Sequence, residues 1–368
     1  MSSLDERSVR VSTLELFFDL VFVFTITQLT GFLAKGEDAS AFFRVAVILL
    51  LIWWMYDGYA WLTNAITTEH LRFRLLLLGG MGGFLVMALA IPQAYDGEGV
   101  TFGLAYLAVV LLHGVMYVRG TSASEVSAIL RLVPFNLLGA TLLIVGGALG
   151  GNWQSVLWSS TAVLLWVAPN LLSTGGFIVS VSHFVERHGL VVIVALGESI
   201  VVLGAGAASL PLNTRLVLVA LLALSLTAGL WWLYFSDELA VEQGFHDTTP
   251  ERRAALALRG FGYWHYGILL GIVAIAAGLK EAIAHPYDPP SGWIAAGLGA
   301  GVALYVLSDV GYRRTFGLAL NHTRLLAAAG AIATIPLGTE VGALAQVVAL
   351  SALLAAALAV EALLATRR

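Results

Sequence analysis

The chain has 368 residues, 59% of them hydrophobic and 11% charged, with a mean hydropathy of +0.88 and a formal net charge of −4. Soluble domains are about 45–50% apolar and about 25% charged, so the composition excludes a water-soluble fold, and the acidic balance argues against a nucleic-acid partner. Cysteine is absent, which excludes disulfides, zinc–thiolate and iron–sulfur sites, and cysteine nucleophiles.

Apolar runs of about 17–25 residues read as transmembrane helices. Twelve occur, at 14–33, 41–62, 71–91, 100–118, 131–149, 153–170, 187–207, 212–235, 260–280, 291–311, 322–338 and 341–364. The expected fold class is all-α: a polytopic α-helical membrane protein with about twelve spans. Pro134, Pro169 and Pro336 interrupt the fifth, sixth and eleventh runs. The first 13 residues are polar and no small-residue cleavage site follows the first apolar run, so a removable signal peptide is not expected.

Lys and Arg set the orientation. With the N-terminus inside, Arg7, Arg10, Arg72, Arg74, Arg119, Arg131, Arg187, Arg252, Arg253, Arg259, Arg313, Arg314, Arg324, Arg367 and Arg368 fall on the cytoplasmic side. Only Lys35, Arg44, Arg215 and Lys280 fall outside. Fifteen against four predicts that both termini are cytoplasmic. The longest stretch between spans is 236–259, within which Thr249-Pro250-Glu251-Arg252 reads as a cap and helix start. No soluble domain is long enough to fold alone.

The second run ends in Trp53-Trp54-Met55-Tyr56-Asp57 and the eighth in Trp231-Trp232-Leu233-Tyr234-Phe235-Ser236-Asp237, 178 residues on. The same offset carries Asp19 to the residue beside Glu198. This predicts two parallel six-helix halves, 1–178 and 179–368, an arrangement that many transporters share. Paired tryptophans also mark membrane interfaces, so the offset has a second explanation.

Acids within apolar runs face the bundle interior and pair with something. Ser12-Thr13-Leu14-Glu15 fits a capping box, which competes with a functional role for Glu15. Asp19 lies four residues further, on the same helix face, among Phe17, Phe18, Phe22 and Phe24. It is a candidate site, with Arg72 or Arg74 as candidate structural partners. Arg187 and Glu198 are eleven residues apart, which returns within about 20° to one face, about 16 Å along the axis. His183, Glu186 and His188 cluster at the start of that helix. Asp19, Asp57, His113, Asp237 and His265 fall at one depth, which suggests a hydrated vestibule; Asp57 and Asp237 could equally be interfacial. Asp309 is expected to pair with Arg313 along one helix, and His265, between Trp264 and Tyr266, reads as a hydrogen-bonded packing residue as readily as a proton carrier. The candidate ion- or substrate-binding residues are therefore Glu15, Asp19, Asp57, Arg187, His188, Glu198, Asp237 and His265.

The spacing of His183 and His188 is poor for two metal ligands on one helix, and no metal, cofactor or catalytic residue is expected. Gly79-Gly80-Met81-Gly82-Gly83 and Gly197, Gly204 and Gly206 are expected to let helices pack closely.

Glu15-Leu16-Phe17-Phe18-Asp19-Leu20-Val21-Phe22-Val23-Phe24, followed by Ile26-Thr27-Gln28-Leu29, resembles the opening signature of the bacterial low temperature requirement A family. Glu186-Arg187-His188-Gly189-Leu190 through Ala195-Leu196-Gly197-Glu198-Ser199-Ile200 resembles its second signature. The resemblance covers most of the chain. It implies a multi-pass bacterial inner-membrane protein and carries no chemistry of its own, since the family name records a growth phenotype. Phe18-Asp19 and Phe235-Ser236-Asp237 partly echo the F-S-D signature of a group of potassium channels, though the first lacks the serine.

Three functions stay open. The favoured one is a transporter with a carboxylate-lined cavity, coupled to protons or another cation. The second is an intramembrane enzyme acting on a lipidic or small hydrophobic substrate; it ranks below transport. The third is a cation channel, or a structural or sensing protein in which the acids are paired scaffolding. Expected partners are the lipid bilayer and a small solute, ion or lipid, with no nucleic acid; a homo-oligomer stays open.

Overall fold

The structure, a computed structural model, describes residues 11–36, 38–66, 70–172, 175–208 and 211–366. Of the basic residues that set the expected orientation, Arg7, Arg10, Arg367 and Arg368 lie outside the described residues.

Among the described residues the regular structure is all helical. In order the helices are α1 (Thr13–Ala34), α2 (Ala39–Ala65), α3 (Leu71–Ala90), α4 (Gly99–Gly120), α5 (Ala123–Leu149), α6 (Gly151–Leu171), α7 (Val181–Ala207) and α8 (Thr214–Phe235). Then come α9 (Glu238–His246), α10 (Pro250–Ala257), α11 (His265–Ala284), α12 (Gly292–Thr315), α13 (His322–Ala333), α14 (Ile335–Glu340) and α15 (Ala343–Ala365). Ten helices among the described residues are long and apolar enough to cross a membrane. The other two expected spans lie on α6, which carries Asn152, Gln154 and three serines, and on the α13–α14 pair. The chain is a multi-pass helical membrane protein.

The prolines behave differently according to context. Pro134 and Pro169 sit inside α5 and α6 without ending them, as membrane helices tolerate when neighbours satisfy the freed carbonyls. Pro336 stands at the start of α14, after α13 has ended at Ala333. Leu258–Trp264, between α10 and α11, takes the wider π geometry, which turns a carbonyl away from its helical partner.

The chain divides into two compact units, each assembled from separated stretches. The first comprises the residues up to Gln28, Ala46–Val191 and Glu242–Gly262. In it α3, α4, α5 and α6 pack each against the next. The second comprises Leu29–Val45, Val192–Val241 and the residues from Tyr263 onward. There α11 packs on α12, α12 on α13, and α15 on α8 and α13. The side chains of Leu71, Leu75, Leu78, Leu85 and Leu89 on α3 are exposed and share one face by their spacing, the surface that hydrocarbon covers.

Glycine sets the closest helix approaches at some expected positions and not at others. A Cβ on Gly80 would lie 2.7 Å from the Tyr59 hydroxyl, whereas one on Gly82, Gly197 or Gly204 would meet nothing within 4 Å. Tight packing is therefore not the role of those three. Where α4 meets α5, a Cβ on Gly103 would lie 2.7 Å from the Ile144 backbone nitrogen. Gly103→Ala is expected to cost about 1–3 kcal/mol through overpacking, whereas Gly82→Ala is expected to be neutral; thermal melting of the purified protein compares them.

Candidate functional site

The site in the first unit is organised by the first two turns of α7. His183 and Arg187 are four residues apart and share a face, as do Glu15 and Asp19 on α1. The two stripes meet in register. His183 Nε2 lies 3.1 Å from Glu15 Oε1, and Arg187 Nη1 lies 2.6 Å from Asp19 Oδ2. Arg187 Nη1 also donates to the Glu15 backbone carbonyl at 3.0 Å. His188, next along α7, turns to α2 and places Nε2 3.0 Å from Asp57 Oδ1. Tyr56 donates its hydroxyl to Asp19 Oδ1, and the Arg187 guanidinium lies 5.5 Å from the Tyr56 ring centre. No side chain of Glu15, Asp19, Asp57, His183, Arg187 or His188 is on a residue more than 4% exposed. Three acid–base pairs thus join α7 to α1 and α2 in an apolar interior.

Two sequence expectations are revised here. Asp19 pairs with Arg187, not with Arg72 or Arg74. Glu15 forms the expected capping box, Oε2 accepting from the Ser12 amide and hydroxyl, both at 2.8 Å, while Oε1 faces His183.

Hydrogen-bond partners constrain the donor and acceptor roles of the ring nitrogens of the two histidines. The Asn64 amide is oriented by Ser180, whose N–H donates to Asn64 Oδ1 and whose carbonyl accepts from Asn64 Nδ2. Asn64 Nδ2 therefore faces His183 Nδ1, at 3.3 Å, as a donor. His183 Nδ1 is then an acceptor, with Nε2 on the side of Glu15 Oε1. His188 differs. Its Nδ1 lies 2.8 Å from the Phe184 carbonyl and its Nε2 3.0 Å from Asp57 Oδ1. Both neighbours are acceptors, so a neutral ring beside an ionised Asp57 would set one lone pair against another. The geometry calls for one additional proton, on the imidazole or on the carboxyl.

A cavity of about 70 Å³ opens beside that pair. Trp54, Trp61, Tyr117 and Phe177 contribute aromatic walls, with Asp57 and His113 at its edge. Trp61 Nε1 donates to Asp57 Oδ2 at 3.2 Å, Trp54 Nε1 to Asn136 Oδ1 at 2.9 Å, and His113 Nε2 to the Gly58 carbonyl at 2.9 Å. The π segment supports the same region: Trp53 Nε1 donates to the Gly262 carbonyl at 2.7 Å, and the Phe261 ring packs 4.6 Å from the His188 ring.

The remaining candidates lie in the second unit. Glu198 is fully buried on α7. His265 is fully buried and lies 2.7 Å from the Tyr234 hydroxyl, edge-on to Tyr312. Asp237 pairs with Arg313. The expected Asp309–Arg313 pair gives way to Asp309–Arg324, because Arg324 reaches Asp309 from α13. All five N–H donors of Arg324 are satisfied. Nη1 donates to Asp309 Oδ2 and to the Leu233 carbonyl. Nε and one Nη2 proton grip the two Glu361 oxygens at 3.0 Å, and the other meets Ser236 Oγ at 3.1 Å. Arg187, by contrast, bonds only through Nη1 among the described residues, and its buried Nε has no hydrogen-bond partner.

Tyr56, Asn64 and Trp61 were not among the candidates. Tyr56 and Trp61 carried a signal, being adjacent to Asp57 and one helical turn beyond it; Asn64 carried none.

Residues 10–362 match the profile of the family described as bacterial low temperature requirement A protein. An uncharacterised protein of Rhizobium meliloti (strain 1021) is 30% identical over 289 residues, covering 74% of this chain and 70% of the relative. No solved structure matches. Both signature segments, around Asp19 and around Arg187 to Glu198, lie inside the matched range, and the chain belongs to the bacterial low temperature requirement A (LtrA) family.

Proposed function

We propose that the chain is a proton-coupled transporter of the bacterial inner membrane, with both termini in the cytoplasm. The observation that carries this reading is the buried Asp57–His188 pair, in which both ring nitrogens face acceptors and the carboxylate lines a cavity. Buried carboxylate–histidine pairs are the elements from which membrane proton relays are built. The neighbouring Asp19–Arg187–Tyr56 group supplies a second buried charge pair, so α7 can exchange partners with α1 and α2 without leaving a lone charge in hydrocarbon. The excess of basic residues on one side supports the orientation.

The test is proton movement in liposomes that hold the purified protein and a lumenal pH dye. Solutes are added one at a time from a panel of amines, amino acids, carboxylates and sugars. At least one class is expected to change lumenal pH, and Asp19→Asn or His188→Gln is expected to abolish the change. The reading fails if lumenal pH is indifferent to the whole panel, or if both variants respond as the unmodified protein does.

A further inference from the structure

We infer that the cavity beside Asp57 binds a small organic cation of the quaternary or tertiary ammonium class, and that binding expels the proton held by Asp57 and His188. This rests on the transport reading for its physiological meaning and names the substrate class for the same site.

The walls select the ligand. Trp54, Trp61, Tyr117 and Phe177 surround a space of about 70 Å³ with one carboxylate at its edge. Aromatic faces attract a weakly hydrated organic cation, and do so most strongly when water is excluded. A bare metal ion would need about six oxygen ligands. The wall offers Asp57, while Asn136 Oδ1 is already taken by the Trp54 indole. An anion would face the Asp57 carboxylate, and no Lys or Arg lines the cavity. Asp57 lines the cavity, and the indole N–H of Trp61 fixes its Oδ2.

The charge balance then couples ligand to proton. With the cavity empty the pair holds one proton beyond the His188 Nδ1–H, by the two acceptors that face the His188 ring. A cation seated against Asp57 supplies the positive charge that this proton supplied. The proton leaves for water, His188 keeps its Nδ1–H on the Phe184 carbonyl, the bound cation offsets the lone-pair contact between Nε2 and Asp57 Oδ1, and the charge of the site is unchanged. The other titratable groups facing the cavity are His113 and Tyr117 of α4; α5, α6 and α10 contribute no charged side chain to its wall. On α1 and α7, Asp19 and Arg187 are committed to each other.

The experiment titrates choline into the full-length protein in detergent, read by tryptophan fluorescence, since Trp54 and Trp61 line the cavity. Choline is expected to bind at least tenfold tighter than 3,3-dimethylbutan-1-ol, its uncharged carbon isostere. Each choline bound is expected to release about one proton into weak buffer, so affinity falls about tenfold for each unit by which the pH is lowered wherever the pair stays protonated. Asp57→Asn is expected to weaken choline binding at least tenfold while leaving the isostere unaffected. Equal binding of choline and isostere, absence of choline binding, or binding without proton release overturns the inference; the isostere and proton measurements need no variant. Choline binding in detergent with no solute-driven pH change in liposomes would leave this inference standing and sink the transport reading. Flux with another solute and no choline binding would do the reverse.

Discussion

Arg324→Ala is expected to be among the most destabilising single substitutions in the protein, at about 3–5 kcal/mol. The side chain is fully buried, and truncation would leave Asp309, Glu361, the Leu233 carbonyl and Ser236 without their shared donor. Two of the stranded groups are carboxylates, and a buried charge without its partner costs far more than a lost neutral hydrogen bond. Arg324→Lys keeps the charge but cannot reproduce the two-pronged grip on Glu361, since an ammonium has no planar fork. It is therefore expected to fall between the alanine variant and the unmodified protein. Thermal melting of the purified protein ranks the three; equal melting temperatures for the alanine variant and the unmodified protein would show that the network contributes nothing to stability.

The Asp19–Arg187 pair is expected to show strong non-additivity. Arg187→Met leaves Asp19 ionised in an apolar setting with only the Tyr56 hydroxyl as donor, a loss of about 3–5 kcal/mol. Asp19→Asn in the same chain removes the stranded charge, and the asparagine Oδ1 can still accept from Tyr56. The double variant is expected to recover most of the loss, giving an interaction energy within the about 0.5–3 kcal/mol range of coupled neighbours or above it. A double-mutant cycle on unfolding measures this. Simple addition of the two single effects would mean that the guanidinium and carboxylate do not sense each other. Solute-driven proton movement is expected to stay absent in the double variant although stability returns, which separates the scaffold role of the pair from its role in coupling.

The two arginines also show how far buried charge can be assigned from sequence. Arg187 and Arg324 both sit near helix starts, among the basic residues that orient the chain, and both are almost wholly inaccessible. Loop composition placed them on one side of the membrane but gave no sign of burial, because burial depends on which carboxylates the packed helices bring to them. Asp309 shows the same limit. Its local i,i+4 partner Arg313 was visible in one dimension, and the pairing that forms comes from another helix.

Composition and hydrophobic run length by themselves determined the class, the helical architecture and the position of nearly every span, because the bilayer demands a long apolar segment at each crossing and an internally bonded backbone. The scarcity of acids in those segments singled out Glu15, Asp19, Asp57 and Glu198 for the same reason, since each carries a solvation cost that must be met. Only the tertiary structure decided how it is met. The α7 stripe of His183 and Arg187 falls in register with Glu15 and Asp19, His188 turns to Asp57, and an aromatic cavity closes beside them. Those pairings join residues more than a hundred positions apart, and no local pattern encodes a contact that exists only once helices have packed.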